Sequence, residues 1–284
     1  MIQGTTQLLG VIGDPVKHSL SPVMHNAAIA ALGLDYVYLP LPIAAADLPA
    51  AVRGFEAIGL RGFNITIPHK QAILPLLNEV SEVAQAVGAV NTVWRTARGW
   101  SGTNTDVMGF LAPLRDRDWQ QAPAAVLGNG GAARAVVAAC HQLGCPEIWV
   151  FGRRSERLQR FIESWQISPL RPRIAGYSWS QLDDYLPQAG LIINATPVGM
   201  APQAAASPLS SEQIAQLPKA AIAYDLIYTP RPTQFLKQAA QAGLETIDGL
   251  EMLVQQGAAA LEIWVNQPVP IDVMRAALLT QLEG

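Results

Sequence analysis

The hydrophobic positions of the chain fall into short β-branched runs that alternate with longer Ala- and Leu-rich segments of helical period. This alternation is typical of parallel sheets covered by helices, so it predicts an α/β fold. The first strand is predicted over 8–13. Ser21 and Pro22 then open a helix that runs to Leu32 and stops at Gly33.

The same alternation continues through the first hundred residues, where strands are predicted over 36–43, 62–67 and 90–95 and helices over 46–58 and 70–77. A polar turn at 102–106 and a helix over 107–114 then lead into a second layered unit. We place the boundary between the two units near Gly109.

The second unit repeats strand and helix in the manner of a doubly wound domain. Its predicted strands are 125–127, 148–151, 191–194 and 221–226, and its predicted helices include 132–143 and 233–242. The tail over 250–282 reads as two consecutive helices with no strand between them. Because such a pair does not extend the alternation, we expect it to pack against the first unit.

Composition narrows the function classes. The chain has 284 residues, enough for two domains, and a net charge of -3, which offers no basic surface for nucleic acid. No leader sequence or membrane-spanning stretch is evident, so we expect a cytoplasmic protein that acts on a small molecule. Two cysteines and four scattered histidines predict buried, inert thiols and no metal site.

A glycine-rich turn lies between the strand ending at Leu127 and an Ala-rich helix, and it matches the G-x-G-x-x-A pattern. Gly128 would permit the tight turn, Gly130 would let the backbone approach a pyrophosphate, and Ala133 would let helix and strand pack closely. In this strand–turn–helix setting the motif predicts a dinucleotide site.

The end of the following strand indicates which nicotinamide cofactor fits. An acidic residue there would accept from the ribose 2′-hydroxyl of NAD, but the chain has Arg153 and Arg154 instead. Two guanidinium groups favour the 2′-phosphate of NADP. The alternative is a basic turn that is simply solvated.

Three segments of the first unit contain candidate catalytic or ligand-binding residues. Lys70 is predicted in the first turn of a helix, where a cation is unfavourable and its proton more easily lost, although a surface lysine remains the alternative. Asp106 could be an N-cap or a functional carboxylate. Ser19 and Ser21 could bind a carboxylate, while Ser21 before Pro22 also fits an N-cap.

These segments, in this order, resemble the shikimate dehydrogenase family, and the similarity runs over essentially the whole chain. In the first unit the matching segments are 13–15, 19–26, 64–70, 88–92 and 102–106. In the second half they are 128–133, 194–200, 224–228 and 248–256.

The resemblance implies NADP-dependent, reversible reduction of 3-dehydroshikimate to shikimate, a step of the shikimate pathway towards chorismate and the aromatic amino acids. It implies a substrate domain of residues 1–109, completed by the C-terminal helices 249–284, and a Rossmann-like NADP domain over 110–248. The catalytic pair would be Lys70 and Asp106. The further substrate contacts would be Ser19, Ser21, Asn64, Thr66, Asn91, Tyr228 and Gln256.

On the cofactor side the resemblance implies three groups of residues. The pyrophosphate would lie on Gly128, Asn129, Gly130, Gly131 and Ala132. The 2′-phosphate would be bound by Arg153, Arg154 and Arg157, and the ribose and nicotinamide would lie near Thr196, Leu226, Gly249 and Met252. The family commonly has Asn-Arg-Thr where this chain has Gly152-Arg153-Arg154, which removes two polar side chains and adds a charge. A monomer or a homodimer is expected.

Two other functions are alternatives at the level of the sequence. A quinate or dual quinate/shikimate dehydrogenase would be expected to differ at the serine pair and to have an acidic residue in the cofactor turn, and the chain has neither change. A non-catalytic NADP-sensing protein of the same fold would be expected to lack Lys70 or Asp106, and both are present.

Overall fold

The computed structural model of the protein describes residues 2–283, so Met1 and Gly284, the two ends of the predicted substrate domain, lie outside the described residues. The chain divides into two compact units. One consists of Met1–Gly109 and Val254–Gly284, and the other is Phe110–Leu253. The sequence had suggested boundaries at 109/110 and 248/249, so the second division falls later in the chain than expected.

The first unit is built on a six-stranded sheet with helices between its strands. The strands are β1 (Gln7–Gly13), β2 (Tyr36–Pro42), β3 (Gly62–Ile65), β4 (Glu79–Val80), β5 (Thr92–Thr96) and β6 (Gly99–Thr103). The helices are α1 (Ser21–Ala31), α2 (Leu48–Ala57), α3 (His69–Ala72), α4 (Glu82–Val87) and α5 (Asp106–Leu111). The short elements β4 and α4 had not been predicted.

The order of strands in this sheet is β2-β1-β3-β5-β6-β4, and the sheet is mixed rather than purely parallel. β1 pairs in parallel with β2 and β3, whereas β5 is antiparallel to both β3 and β6. The prediction of a parallel sheet was therefore wrong here. Only two residues, Ala97 and Arg98, join β5 to β6, and so short a connection reverses the chain, because a parallel neighbour requires a long crossover.

The helix predicted over 70–77 is much shorter in the structure. α3 ends at Ala72, and a separate 3-10 turn follows over Leu74–Leu76. Pro75 explains the break, since proline has no N–H to donate and disfavours helical geometry at the residue before it. Lys70 consequently lies on a single turn rather than at the start of a long helix.

The second unit alternates strands and helices throughout. Its strands are β7 (Ala124–Leu127), β8 (Ile148–Gly152), β9 (Ile174–Ser178), β10 (Leu191–Asn194), β11 (Ile222–Asp225) and β12 (Glu245–Ile247). Its helices are α6 (Gly131–Gln142), α7 (Ser155–Gln166), α8 (Leu182–Tyr185), α9 (Ser211–Ala215) and α10 (Gln234–Gln241).

All strand pairs of this second sheet are parallel, and its order is β12-β11-β10-β7-β8-β9. Numbered from β7 onward, the order across the sheet is 6-5-4-1-2-3, the doubly wound arrangement of dinucleotide-binding domains read from its far edge. The predicted α/β class and the Rossmann-like plan of the second unit are confirmed. The order reverses between β7 and β10, which is where such sheets bind ligands.

Both predicted helices of the tail are present as α11 (Gly249–Val265) and α12 (Ile271–Glu283). α12 packs against α1 of the first unit, and its side chains Met274 and Leu278 are fully buried. Among the described residues, no helix is both long enough and apolar enough to cross a membrane.

Candidate active site

The two residues predicted as a catalytic pair form an ion pair. Lys70 Nζ lies 2.6 Å from Asp106 Oδ2, and the two side chains are only 22% and 12% exposed. β3 and β6 are both antiparallel to β5, so they run in the same direction and their carboxyl ends reach the same edge of the sheet. α3 and α5 follow those two strands, which brings their first turns together.

Asn91 holds the second oxygen of the carboxylate. Its Nδ2 donates to Asp106 Oδ1 at 2.8 Å, while its Oδ1 accepts from the backbone N–H of Thr105 at 2.7 Å and from the hydroxyl of Thr92 at 3.0 Å. Each oxygen of Asp106 therefore has one fixed partner, and the carboxylate cannot rotate without breaking a bond.

The two alternatives considered for this pair do not match the geometry. The carboxylate of Asp106 bonds to Lys70 and Asn91 rather than to the N–H groups of α5, so Asp106 is not an N-cap. Lys70 is not a freely solvated surface lysine. Because α3 has a single turn, its dipole is small, and the carboxylate rather than the helix dominates the surroundings of the ammonium group.

Asn64 connects β3 to this network, and both the N–H groups and the oxygen of its side-chain amide form hydrogen bonds. Its Nδ2 donates to the carbonyl of Asn91 at 3.1 Å and to Thr92 Oγ1 at 3.0 Å, and its Oδ1 accepts from the hydroxyl of Tyr38 at 2.7 Å. Tyr38 has no exposed surface, and burial raises its pKa well above the usual range. Tyr38 was not among the predicted site residues. It lies in an apolar edge strand, and the sequence of that strand does not indicate that the Tyr38 hydroxyl bonds to a residue of the site.

The serine pair begins α1, but not with the capping geometry that Ser21-Pro22 suggested. Leu20 occupies the N-cap position without a side-chain bond, and Ser21 is the first helical residue. That part of the prediction was wrong. Ser19 Oγ instead accepts the N–H of Ser21 at 3.3 Å.

Two further predicted contacts belong to the first unit. Gln256, on α11, has its Oε1 3.5 Å from Asn91 Nδ2, at the limit of a hydrogen bond. Thr66 follows β3 and packs against Gly13, where a Cβ would lie 2.4 Å from its methyl group. The first unit thus gathers one polar network, and Thr66 lies beside it without a side-chain bond to any residue that the structure describes. The members of the network are Lys70, Asp106, Asn91, Asn64, Gln256, Tyr38, Thr92 and Thr105.

The glycine-rich turn of the second unit has the geometry of a phosphate cradle. Gly128 has φ +106°, and a Cβ there would lie 2.9 Å from Thr196 Cγ2, so only glycine fits. Cβ atoms at Gly130 and Gly131 would meet nothing within 4 Å, which leaves open space in front of α6. α6 begins at Gly131 without a side-chain cap, so its first N–H groups can bind an anion.

Asn129 adds a polar group to this turn. Its Nδ2 is buried and has no hydrogen-bond partner among the described residues. A buried amide without a partner is costly, and an acceptor oxygen from a ligand would satisfy it. The open cradle, the uncapped helix and this unsatisfied donor together fit a dinucleotide with its phosphates at the start of α6.

The three predicted 2′-phosphate ligands lie at the end of β8 and in the first turn of α7. Arg153, Arg154 and Arg157 are all exposed, and none forms an ion pair with any carboxylate that the structure describes. Arg154 is the N-cap residue of α7, with extended backbone geometry. The guanidinium of Arg153 lies over the ring of Trp179, 5.1 Å from its centroid.

The predicted ribose and nicotinamide contacts follow β10 and β11 or lie in the first turn of α11. The Thr196 hydroxyl donates to Asn194 Oδ1 at 2.7 Å. Gly249 lies so close to Leu226 that a Cβ would be 2.2 Å from the Leu226 carbonyl oxygen. Met252 is buried, and Tyr228, a predicted substrate contact, also belongs to this unit, where burial raises its pKa.

A buried Asn194–Asp225 pair supports these loops and had not been predicted as part of the site. Asn194 Nδ2 donates to Asp225 Oδ1 at 3.0 Å, and the hydroxyl of Thr233 donates to Asp225 Oδ2 at 2.7 Å. Burial raises the pKa of Asp225 to about 6, against the lowering effect of its hydrogen bonds. The sequence did contain an indication of this pair, because Asn194 and Asp225 are the polar last residues of two otherwise apolar strands, β10 and β11.

Comparison with known proteins bears on these sites. Residues 11–93 match the family model of the shikimate dehydrogenase substrate binding domain, and residues 249–279 match that of the shikimate 5'-dehydrogenase C-terminal domain. The chain is 60% identical to the shikimate dehydrogenase (NADP⁺) of Microcystis aeruginosa over 99% of both chains.

Solved structures resemble it over nearly the full length. Shikimate 5-dehydrogenase from Thermus thermophilus, in complex with NADP(H) and shikimate, is 36% identical, with a TM-score of 0.83 over 96% of this chain and 98% of that one. Quinate dehydrogenase from Corynebacterium glutamicum, in complex with NAD, is 32% identical, with a TM-score of 0.89 over 97% of this chain and 99% of that one.

Proposed function

Because the chain belongs to the shikimate dehydrogenase family, we propose that it reduces the ketone of 3-dehydroshikimate to shikimate with NADPH and catalyses the reverse reaction with NADP⁺. The protein is an NADP-dependent oxidoreductase acting on a CH–OH group. The observation that carries the proposal is the Lys70–Asp106 ion pair, which Asn91 holds in one orientation at the edge of the first sheet.

In this proposal Lys70 handles the proton of the reacting hydroxyl. NADPH, when bound, supplies the hydride that reduces the carbonyl carbon. As negative charge grows on the carbonyl oxygen, the ammonium group of Lys70 stabilises it and donates the proton that completes the hydroxyl. In the reverse direction the same amine accepts that proton.

Asp106 would fix Lys70 and contact a ring hydroxyl. With one oxygen on Lys70 and the other on Asn91, the carboxylate keeps the ammonium group in place without moving itself.

The remaining first-unit residues would bind the substrate around this pair. We assign the carboxylate of shikimate to the hydroxyls of Ser19 and Ser21, and the ring hydroxyls to Thr66, Asn91 and Gln256, with Tyr228 as a further contact. Asn64 can contribute less than expected, because both its amide hydrogens are used within the protein and only a second lone pair of Oδ1 is left.

NADP fits the residues of the second unit. The turn Gly128–Asn129–Gly130–Gly131–Ala132 would hold the pyrophosphate, and Arg153, Arg154 and Arg157 would bind the 2′-phosphate. Thr196, Leu226, Gly249 and Met252 would contact the ribose and the nicotinamide. This assignment is supported by the open cradle before α6 and by three guanidinium groups that face no described carboxylate.

One assay tests the proposal. Purified protein is given shikimate or quinate with NADP⁺ or NAD⁺, and reduction of the nicotinamide is followed by absorbance. We expect the highest kcat/KM for shikimate with NADP⁺. Preference for quinate with NAD⁺ would instead favour the quinate dehydrogenase alternative, and binding of NADP⁺ without turnover of either acid would favour the sensing protein.

Location and assembly are proposals drawn from the sequence. We propose that the protein is cytoplasmic. We also propose that it works as a monomer or a homodimer, because a biosynthetic oxidoreductase of small metabolites requires no other partner. Light scattering coupled to gel filtration at assay concentration distinguishes these two states. A higher oligomer would contradict the assignment.

A further inference from the structure

The parallel register of β8 and β9 brings an arginine and a tryptophan side by side. Gly152 pairs with Ser178 at the end of the two strands, so the next residue of each, Arg153 and Trp179, leaves the sheet at the same edge. There the guanidinium carbon of Arg153 lies 5.1 Å from the centroid of the Trp179 ring, within the range of a cation–π contact.

The ring of Trp179 is held in place by its own turn. Trp179 begins a 3-10 turn, Trp179–Gln181, whose capping box is complete: Gln181 Oε1 accepts the N–H of Ser178 at 3.0 Å, and the Ser178 side chain caps the turn in return. Trp179 also packs, partly buried, against the hydrophobic core of the second unit. The indole is therefore a fixed surface for a long and otherwise mobile side chain.

The contact leaves the hydrogen-bond donors of Arg153 available. The guanidinium carbon lies over the indole ring, and the group carries five N–H donors. No residue that the structure describes accepts a hydrogen bond from Arg153. Arg134 differs, since it also lies over aromatic rings, of Phe161 and Trp165, but gives an N–H to Ser164 Oγ at 2.8 Å.

We propose that Trp179 is a positioning residue for the cofactor: it holds Arg153 in the orientation that binds the 2′-phosphate of NADP(H). The inference rests on the proposed function and extends it to a residue outside the cofactor turn. A guanidinium already fixed on the indole loses little side-chain freedom when the phosphate binds, which strengthens the bidentate contact.

The test compares two ligands that differ only in the 2′-phosphate. Dissociation constants of NADP⁺ and NAD⁺ are measured by isothermal titration calorimetry on the full-length protein and on Trp179→Leu, which keeps an apolar side chain. We expect the constant for NADP⁺ to rise about two- to fivefold, the range of an exposed cation–π contact, and that for NAD⁺ to stay unchanged. Trp179→Phe should give an intermediate loss, because phenylalanine retains a weaker π face.

Two controls separate positioning from general damage. Tyr185→Leu removes another partly buried aromatic ring that packs on the same core but does not contact Arg153, and it should leave the NADP⁺/NAD⁺ ratio at the parent value. In the Arg153→Ala background, Trp179→Leu should have no further effect on NADP⁺ binding. A merely structural role for Trp179 would produce the same loss in both backgrounds.

The failure of this inference can be distinguished from that of the proposed function. If the parent protein prefers NADP⁺ and Trp179→Leu keeps that preference in full, Trp179 does not position Arg153, while the proposed activity stands. If the parent protein binds NAD⁺ as tightly as NADP⁺, the cofactor assignment itself is wrong, and the role of Trp179 is overturned with it.

Discussion

Tyr38 donates its phenolic hydrogen to Asn64 Oδ1 at 2.7 Å from a position with no exposed surface. It also stacks on His25, whose ring centroid is 4.1 Å from that of Tyr38. One buried hydroxyl thus ties the edge strand β2 to β3, the strand that presents Asn64 as a predicted substrate contact.

Tyr38→Phe removes only that hydroxyl, so the rings stay packed while Asn64 loses a partner. We expect unfolding free energy to fall by about 1–3 kcal/mol, the cost of leaving buried polar groups unsatisfied. We further expect KM for shikimate to rise with kcat nearly unchanged. Denaturant unfolding and steady-state kinetics measure both, and a normal KM beside lowered stability would limit Tyr38 to a structural role.

Lys70→Met keeps the apolar stem of the side chain and removes its charge. If Lys70 donates the proton, kcat should drop by about 10²–10⁴-fold, with little change in the dissociation constant of NADP⁺, which binds in the second unit. Asp106→Asn should impair the same step, since it keeps the shape but removes the charge that holds Lys70. Turnover within a few-fold of the parent in Lys70→Met would mean that another group or water supplies the proton.

Ser19→Ala and Ser21→Ala should each weaken shikimate binding, because a carboxylate taken from water loses a hydroxyl partner at a cost of about 1–3 kcal/mol. Since Ser21 is not the N-cap of α1, its loss should affect α1 less than a cap would. Binding is measured by calorimetry and stability by thermal unfolding. Variants that are destabilised yet bind shikimate normally would assign the serines to the fold alone.

Asp225 should make stability depend on pH. Burial raises its pKa to about 6, so the folded protein binds this proton more tightly than the unfolded chain does. The contribution of Asp225 to the free energy of unfolding is therefore fully present below the pKa of the unfolded state and is lost as pH rises through about 6. For a shift of two pKa units this loss amounts to about 3 kcal/mol. Unfolding free energies from pH 4 to pH 7 should show this loss in the parent and not in Asp225→Asn. Equal slopes would rule out Asp225 as the titrating group.

The local elements and the dinucleotide turn could be predicted from the amino-acid sequence without a structure. The strand ending at Leu127, the turn after it and α6 are encoded within a few consecutive residues, so hydrophobic period and glycine spacing suffice to predict them. Resemblance to a family then pointed to most residues of the polar network. The resemblance did not predict which hydrogen bonds these residues form with one another.

Which side chains meet depends on the tertiary structure. Lys70 and Asp106 are 36 residues apart, and they pair because β3 and β6 run in the same direction. The contacts of Tyr38, Asn194 and Trp179 likewise depend on register between strands. Hydrophobic periodicity records which face of an element is buried, whereas pairing between strands depends on contacts among residues far apart in the chain, and a single sequence does not record those contacts.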